Sequence, residues 1–290
     1  MSTRTAPRNL FRALVDDAAV FPPGNAPVPR AWEEHLRLRR GGYADLLGLL
    51  LVGTGHAAQL GQAAAGAELA EPVAVAVVSR PGTAVEDLLD AVDLLRDVAA
   101  VQVVTVETAL DPAGSWRRAL SLGVPVAVEV DRDRTQLLRS LDEVATARSD
   151  GQGTVVLAKL RTQATPQRPV PSPSELAAFL LGADARHLPV KLTGGLHHAV
   201  ARRDDDGRTL DRHGVLNVLA ALAAVDAGAD ELGLVGTLAE EDTDRLVDVV
   251  AGLDEPAVAR LRGRFRSFGC CGVTDPLDEL RELGLLTDRP

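Results

Sequence analysis

The chain has 290 residues, 46% apolar but only 3% aromatic, so Ala, Val and Leu must fill a core large enough to stand without disulfides or metals. Its formal charge of −10 excludes holding nucleic acid or an anionic membrane surface by bulk charge. The N-terminal stretch has no signal-peptide core, and no apolar run approaches a membrane span. Only Cys270 and Cys271 are cysteine. Being adjacent they build no disulfide framework, and they suit a cytoplasmic location as small residues in a packed turn, with no activating base visible nearby in sequence.

In chain order, "FRALVDDAAV" (11–20) reads as a first strand closed by the rigid turn "FPPG", followed by a helix from about Arg30 to Arg40. Short Val- and Leu-rich runs at 46–53, 72–79, 101–107, 125–131, 154–161, 189–195 and 231–237 read as further strands. Helical patterns separate several of them, at 83–99, 134–147, 172–185 and 213–228. Ser172 or Ser174 caps the third of these helices and Gly228 stops the fourth. Strand–helix alternation of this kind predicts a parallel sheet, and eight units fit an α/β protein of the (β/α)8 TIM-barrel class. No G-x-G-x-x-G turn follows the first strand, which argues against an open dinucleotide-binding sheet. The expected organisation is a barrel over 1–253 with a C-terminal helical appendage at 254–290.

Such a barrel gathers chemistry at the C-terminal strand ends. Of 31 basic residues only Lys159 and Lys191 are lysine, and each ends a strand. One strand–helix–strand unit separates them, so they belong on neighbouring strands at similar height. Two close ammonium groups disfavour each other's charge, and a neutral lysine amine can add to a carbonyl where arginine cannot. Spacing alone equally allows both lysines simply to pair with Glu129, Asp131 or an anionic ligand. "TGG" (Thr193, Gly194, Gly195) and "VGT" (with Gly236 and Thr237) end the last two expected strands, where barrels commonly hold phosphate.

Residues 154–237 resemble a class I aldolase of the deoxyribose-phosphate aldolase type. Lys159 matches that family's Schiff-base lysine, Lys191 with "TGG" its second lysine, and Gly236 more loosely its last small-residue turn. The resemblance implies a lysine imine at Lys159 beside Lys191, Glu107 as the proton-relaying carboxylate, and phosphate held by the last two loops. The departure is "KLRT", which sets Arg161 beside the nucleophile. The whole chain is also similar to an uncharacterised bacterial barrel family with "LVDDAAVFPPG", "GLHH" and "HGVLN" segments.

His197, His198 and His213 concentrate half the histidines after the seventh strand, where they suit substrate binding, acid–base work or metal binding with Asp16 or Asp17. Asp16 and Asp17 face opposite sides of a strand, so one of them is structural. "RRDDDGR" is a solvated loop or a lid.

The sequence therefore predicts an aldolase-like carbon–carbon lyase acting on a small phosphorylated or carboxylated carbonyl compound. Lys159, Lys191 and Glu107 are its catalytic set. Arg161, Thr193, Gly194, Gly195, Gly236, Thr237, Asp16, His197, His198 and His213 are its substrate-binding set. No cofactor signature is read, and whether a metal binds is left open. One alternative is a barrel enzyme of another class, an isomerase, transferase or metal-assisted enzyme holding its anionic substrate through Lys159, Arg161 and Lys191. The other is a non-catalytic ligand-binding barrel. Self-association through the outer helices is a further expectation; substrate identity is not readable.

Overall fold

Extended, β-branched runs bounded by Gly, Pro or charge form buried parallel strands, and the segments between them form amphipathic helices that cover the sheet. A computed structural model gives the fold for residues 5–150, 153–204, 207 and 210–286. It runs β1 (Val15–Asp17), α1 (Val28–Leu38), β2 (Leu47–Gly53), α2 (Ala57–Ala64), β3 (Val73–Val78) and α3 (Val85–Arg96). Then come β4 (Val101–Ala109), a 3-10 segment (Ser115–Leu122), β5 (Val126–Glu129), α4 (Arg134–Asp150), β6 (Val156–Arg161), α5 (Pro173–Asp184) and β7 (Val190–Thr193). A small antiparallel pair, β8 (Arg202–Arg203) and β9 (Leu210–Arg212), precedes α6 (Val215–Asp226), α7 (Glu231–Leu238), α8 (Thr243–Ala251) and α9 (Glu255–Arg264). The chain finishes with β10 (Phe265–Cys270) and α10 (Thr274–Glu282).

Strands β1 to β7 and β10 close a parallel barrel, with β10 between β7 and β1. This is the (β/α)8 barrel expected, with one strand exchanged. "ELGLVGT" is not the eighth strand but helix α7, whose start is fixed by Asp230 accepting from the Gly233 amide at 2.9 Å. The eighth strand is "FRSFGC", which lacks the Val and Leu that mark the others and buries Phe265 and Phe268 instead. The barrel therefore extends past residue 253, and 254–290 is not a helical appendage. Ser172 caps α5 in a reciprocal capping box with Glu175, and Gly228, at φ +81°, follows the end of α6.

Helix α6 is buried along most of its length, enclosed by α5, α7, α8 and α9. The "HGVLN" motif latches it in place. Asn217 accepts from the Ala201 amide at 2.8 Å and donates to the Thr237 and Glu240 carbonyls at 3.0 and 2.8 Å. A side chain at Gly214 would overlap the backbone of Val200 and Ala201 and the Asn217 amide. Among the described residues no helix is long and apolar enough to cross a membrane. The expected lid, "RRDDDGR", lies partly outside the described residues.

Candidate active site

At the C-terminal mouth of the barrel a cavity of about 450 Å³ opens between the ends of β1, β3, β6, β7 and β10. Its lower wall is charged. Strand register puts Glu129 beside Lys159 and Lys159 beside Lys191, so three strand ends bring ionisable groups to one level of the interior. Lys159 Nζ lies 2.8 Å from Glu107 Oε2 and 3.0 Å from Glu129 Oε2. Lys191 Nζ lies 2.7 Å from Glu107 Oε1 and also pairs with Asp16. Arg161, half-exposed, faces Glu129 through Nε at 3.1 Å and Nη2 at 3.3 Å.

Three carboxylates and three cations thus alternate in one chain, Asp16, Lys191, Glu107, Lys159, Glu129, Arg161, with no net charge. Alternation is what makes burial tolerable, because a charge taken out of water needs a partner at contact. Glu107 is fully buried, and neither of its lysine contacts has hydrogen-bond alignment, so it is held by charge. Burial pushes its pKa up, but Lys159 and Lys191 outweigh that and bring it down to about 2. Glu129 is likewise lowered: burial opposes ionisation, and Lys159 and Arg161 overcome it.

Lys191 does not make Lys159 easier to deprotonate. Burial disfavours the Lys159 ammonium, yet Glu107 and Glu129 outweigh burial and raise its pKa above the ordinary lysine value. Lys191 is raised in the same way, by Asp16 and then Glu107 against its burial. The expected repulsion fails because a carboxylate stands between the two ammonium groups.

The remaining expected residues divide. Lys159, Glu107, Arg161, Thr193, Gly194 and His197 line the cavity. Asp16 and Lys191 lie buried beyond that lining. Asp16 accepts from the Leu49 amide at 2.7 Å and from the Ser267 hydroxyl at 2.6 Å, close against Gly48, where any side chain would overlap its carboxylate. Asp17 points the other way and meets His35 Nδ1 of α1 at 3.0 Å. Gly194 and Gly195, at φ +73° and +79°, make a turn tight against Gln163 and Thr162. The Gly194 amide donates to Gly269 at 2.9 Å, so it is not free for an anion.

Gly236 and Thr237 lie in α7, along an outer groove between α6 and α8, away from the mouth. His213 is buried, with Nε2 2.8 Å from the Pro171 carbonyl, and burial lowers its pKa to about 4. It is a neutral structural group. His198 Nδ1 sits 2.8 Å from Glu279 of α10, and the Ala199 amide donates to the same carboxylate at 2.6 Å. Among the described residues no group of three or more His, Cys, Asp or Glu is arranged to hold a metal ion.

Three further features complete the site. Glu129 is the second partner of Lys159, a relation implicit in their shared register. Arg80, after β3, lies over the Phe21 ring at 5.4 Å on the cavity wall, a cation with no ion pair among the described residues. His197 contacts both cysteines and Asp275. The base expected to be missing near the cysteines is therefore present, delivered by the β7 loop.

No family model matches the chain, and no curated protein matches it. Among solved structures it is similar to the YdjI aldolase from Escherichia coli K12, over 86% of this chain and 94% of that one. The identity is 14% and the TM-score 0.38, a likeness too slight to bear on activity.

Proposed function

We propose that this barrel is an enzyme that activates a small, carboxylated or phosphorylated carbonyl compound as an imine on Lys159, with carbon–carbon lyase chemistry of the class I aldolase type. One observation carries the reading: Lys159 Nζ borders the cavity between two carboxylates that can take and return its proton. Arginine offers no such amine, which accounts for lysine at this position in an arginine-rich chain.

The anionic end of the substrate engages Arg161 and Arg80 on the cavity wall. Drawing Arg161 from Glu129 weakens the field that keeps Glu129 ionised, and Glu129 then accepts the proton of Lys159. The neutral amine adds to the carbonyl carbon, and the carbinolamine hydroxyl leaves as water after protonation by the same carboxylate, giving the iminium on Lys159. The iminium receives the electron pair of the breaking carbon–carbon bond, while Glu107 or Glu129 accepts the proton of the hydroxyl that becomes the carbonyl of the departing fragment. Lys191 stays below as the fixed counter-charge of Glu107, itself held by Asp16.

The raised pKa of both lysines supports a second reading, in which the ion chain only binds an anion and forms no imine. Borohydride reduction in the presence of acetaldehyde, pyruvate and glyceraldehyde 3-phosphate separates the two. The first reading expects a reduced adduct on Lys159, found by peptide mass spectrometry and absent in Lys159→Arg. No adduct with any carbonyl, while pyruvate or phosphate still raises the melting temperature, would leave the second.

A further inference from the structure

The end of β10 and the loop after β7 meet beside the same cavity, and their meeting places a sulfur, an imidazole and a carboxylate in line. Cys271 Sγ lies 3.4 Å from His197 Nε2, and His197 Nδ1 lies 2.8 Å from Asp275 Oδ2 at the start of α10. Cys271 and His197 both line the cavity and are partly exposed to it, whereas Cys270 is buried. Two independent parts of the fold hold this geometry. The tight Gly194–Gly195 turn fixes where His197 emerges, and Gly272 gives Asp275 room, since any side chain there would overlap its carboxylate.

We propose that Cys271, His197 and Asp275 form a second reactive site of the cavity, in which the Cys271 sulfur adds to the carbonyl carbon of an aldehyde ligand. The arrangement is that of an activated nucleophile, a sulfur against one ring nitrogen and an orienting carboxylate on the other. The proton shared by Cys271 and His197 sits on Nε2 as the sulfur–carbon bond forms. The carbonyl π pair becomes an alkoxide, and the same proton passes from Nε2 to that oxygen. The product is a hemithioacetal; nothing is oxidised or reduced and nothing leaves. The hydrogen-bonding surroundings of His197 suit it to carry the proton in transit: contacts with Cys270, Cys271 and Asp275 raise its pKa to about 11 against its burial. Cys270 is the poorer nucleophile, because burial raises its pKa.

The aldehyde ligand rests on the carbonyl reading of the cavity; the activation of Cys271 does not. The test is timed alkylation of the full chain with iodoacetamide at pH 6.5, with peptide mass spectrometry distinguishing the two cysteines. Cys271 is expected to react, Cys270 not, and His197→Gln to slow Cys271 by roughly 100-fold, the scale of a lost general base. Asp275→Asn, milder for the fold, is expected to slow it in the same direction. Equal rates in wild type and both variants would overturn the proposal. Propanal added first is expected to protect Cys271 in wild type and equally in Lys159→Arg, which keeps the charge but forms no imine. Protection lost in Lys159→Arg, or absent altogether, would overturn the hemithioacetal. Failure of borohydride trapping with normal Cys271 labelling would count against the lysine imine alone.

Discussion

Lys159 and Lys191 occupy paired positions on adjacent strands, yet each holds its own oxygen of Glu107, which stands between them. A carboxylate at that point turns a repulsive pair into an attractive triad. The same contacts that make the lysines tolerable in the barrel interior also keep Lys159 protonated until something draws on its carboxylates.

Glu107→Gln should therefore be the most damaging single change in the site. It leaves two buried ammonium groups with one counter-charge fewer, a loss on the order of 3–5 kcal/mol for a broken buried network. Urea unfolding at pH 7 measures it; a midpoint within error of wild type would show that Glu107 does not hold the lysines together.

Stability should peak near pH 6.5. The unfolded chain protonates His213 near 6.5 while the folded chain resists until about 4, so stability falls as pH drops through that window, by about 3 kcal/mol in full. His197 works in the opposite sense: its raised pKa contributes stability below 6.5 that is lost as pH rises toward about 11. His213→Gln keeps a donor for the Pro171 carbonyl and should flatten the acid limb only. His197→Gln should flatten the alkaline limb. An acid limb unchanged in His213→Gln would sink this account.

Glu107 sets a second, lower window. Its pKa falls from 4.5 to about 2 on folding, so its contribution is complete above 4.5 and fades as pH falls toward about 2. Acid unfolding of Glu107→Gln, compared with wild type between pH 5 and 2, should show a shallower slope.

Arg161→Leu should weaken pyruvate binding roughly tenfold, as expected for one lost charge-assisted contact of about 1.4 kcal/mol. Its effect on acetaldehyde should be slight. Calorimetric titration of both ligands decides it, and equal losses for the two would remove Arg161 from anion recognition.

Gly214→Ala should destabilise the fold by roughly 1–3 kcal/mol, because the added methyl meets backbone that cannot move aside. The thermal midpoint should drop without a change in Cys271 alkylation, which separates the latch on α6 from the cavity.

Much of this was legible in the sequence because strand periodicity is simple. Lys159 and Lys191 were placed side by side from strand ends alone, and the family resemblance added Glu107 to them. What periodicity could not give was the identity of the last strand: "FRSFGC" carries its apolar surface in two phenylalanines, while "ELGLVGT" offers the Leu and Val of a strand and folds as a capped helix. That exchange displaced Gly236 and Thr237 from the mouth and hid the approach of Cys271 to His197, which are 74 residues apart. Nor does alternation reveal depth, so Asp16 read as a mouth residue and proved to be a buried partner of Lys191.

The hydrogen bond from Ser267 to Asp16 joins residues 251 positions apart, and β10 is the strand that brings Ser267 there. During synthesis the buried partners of Asp16 are therefore incomplete until β10 has left the ribosome. An emerging chain that has made Lys191 but not β10 carries Asp16 without its hydroxyl donor and β1 without a neighbour on one edge. Long-range closure of this kind makes folding slow and leaves an unpaired edge to shield in the meantime.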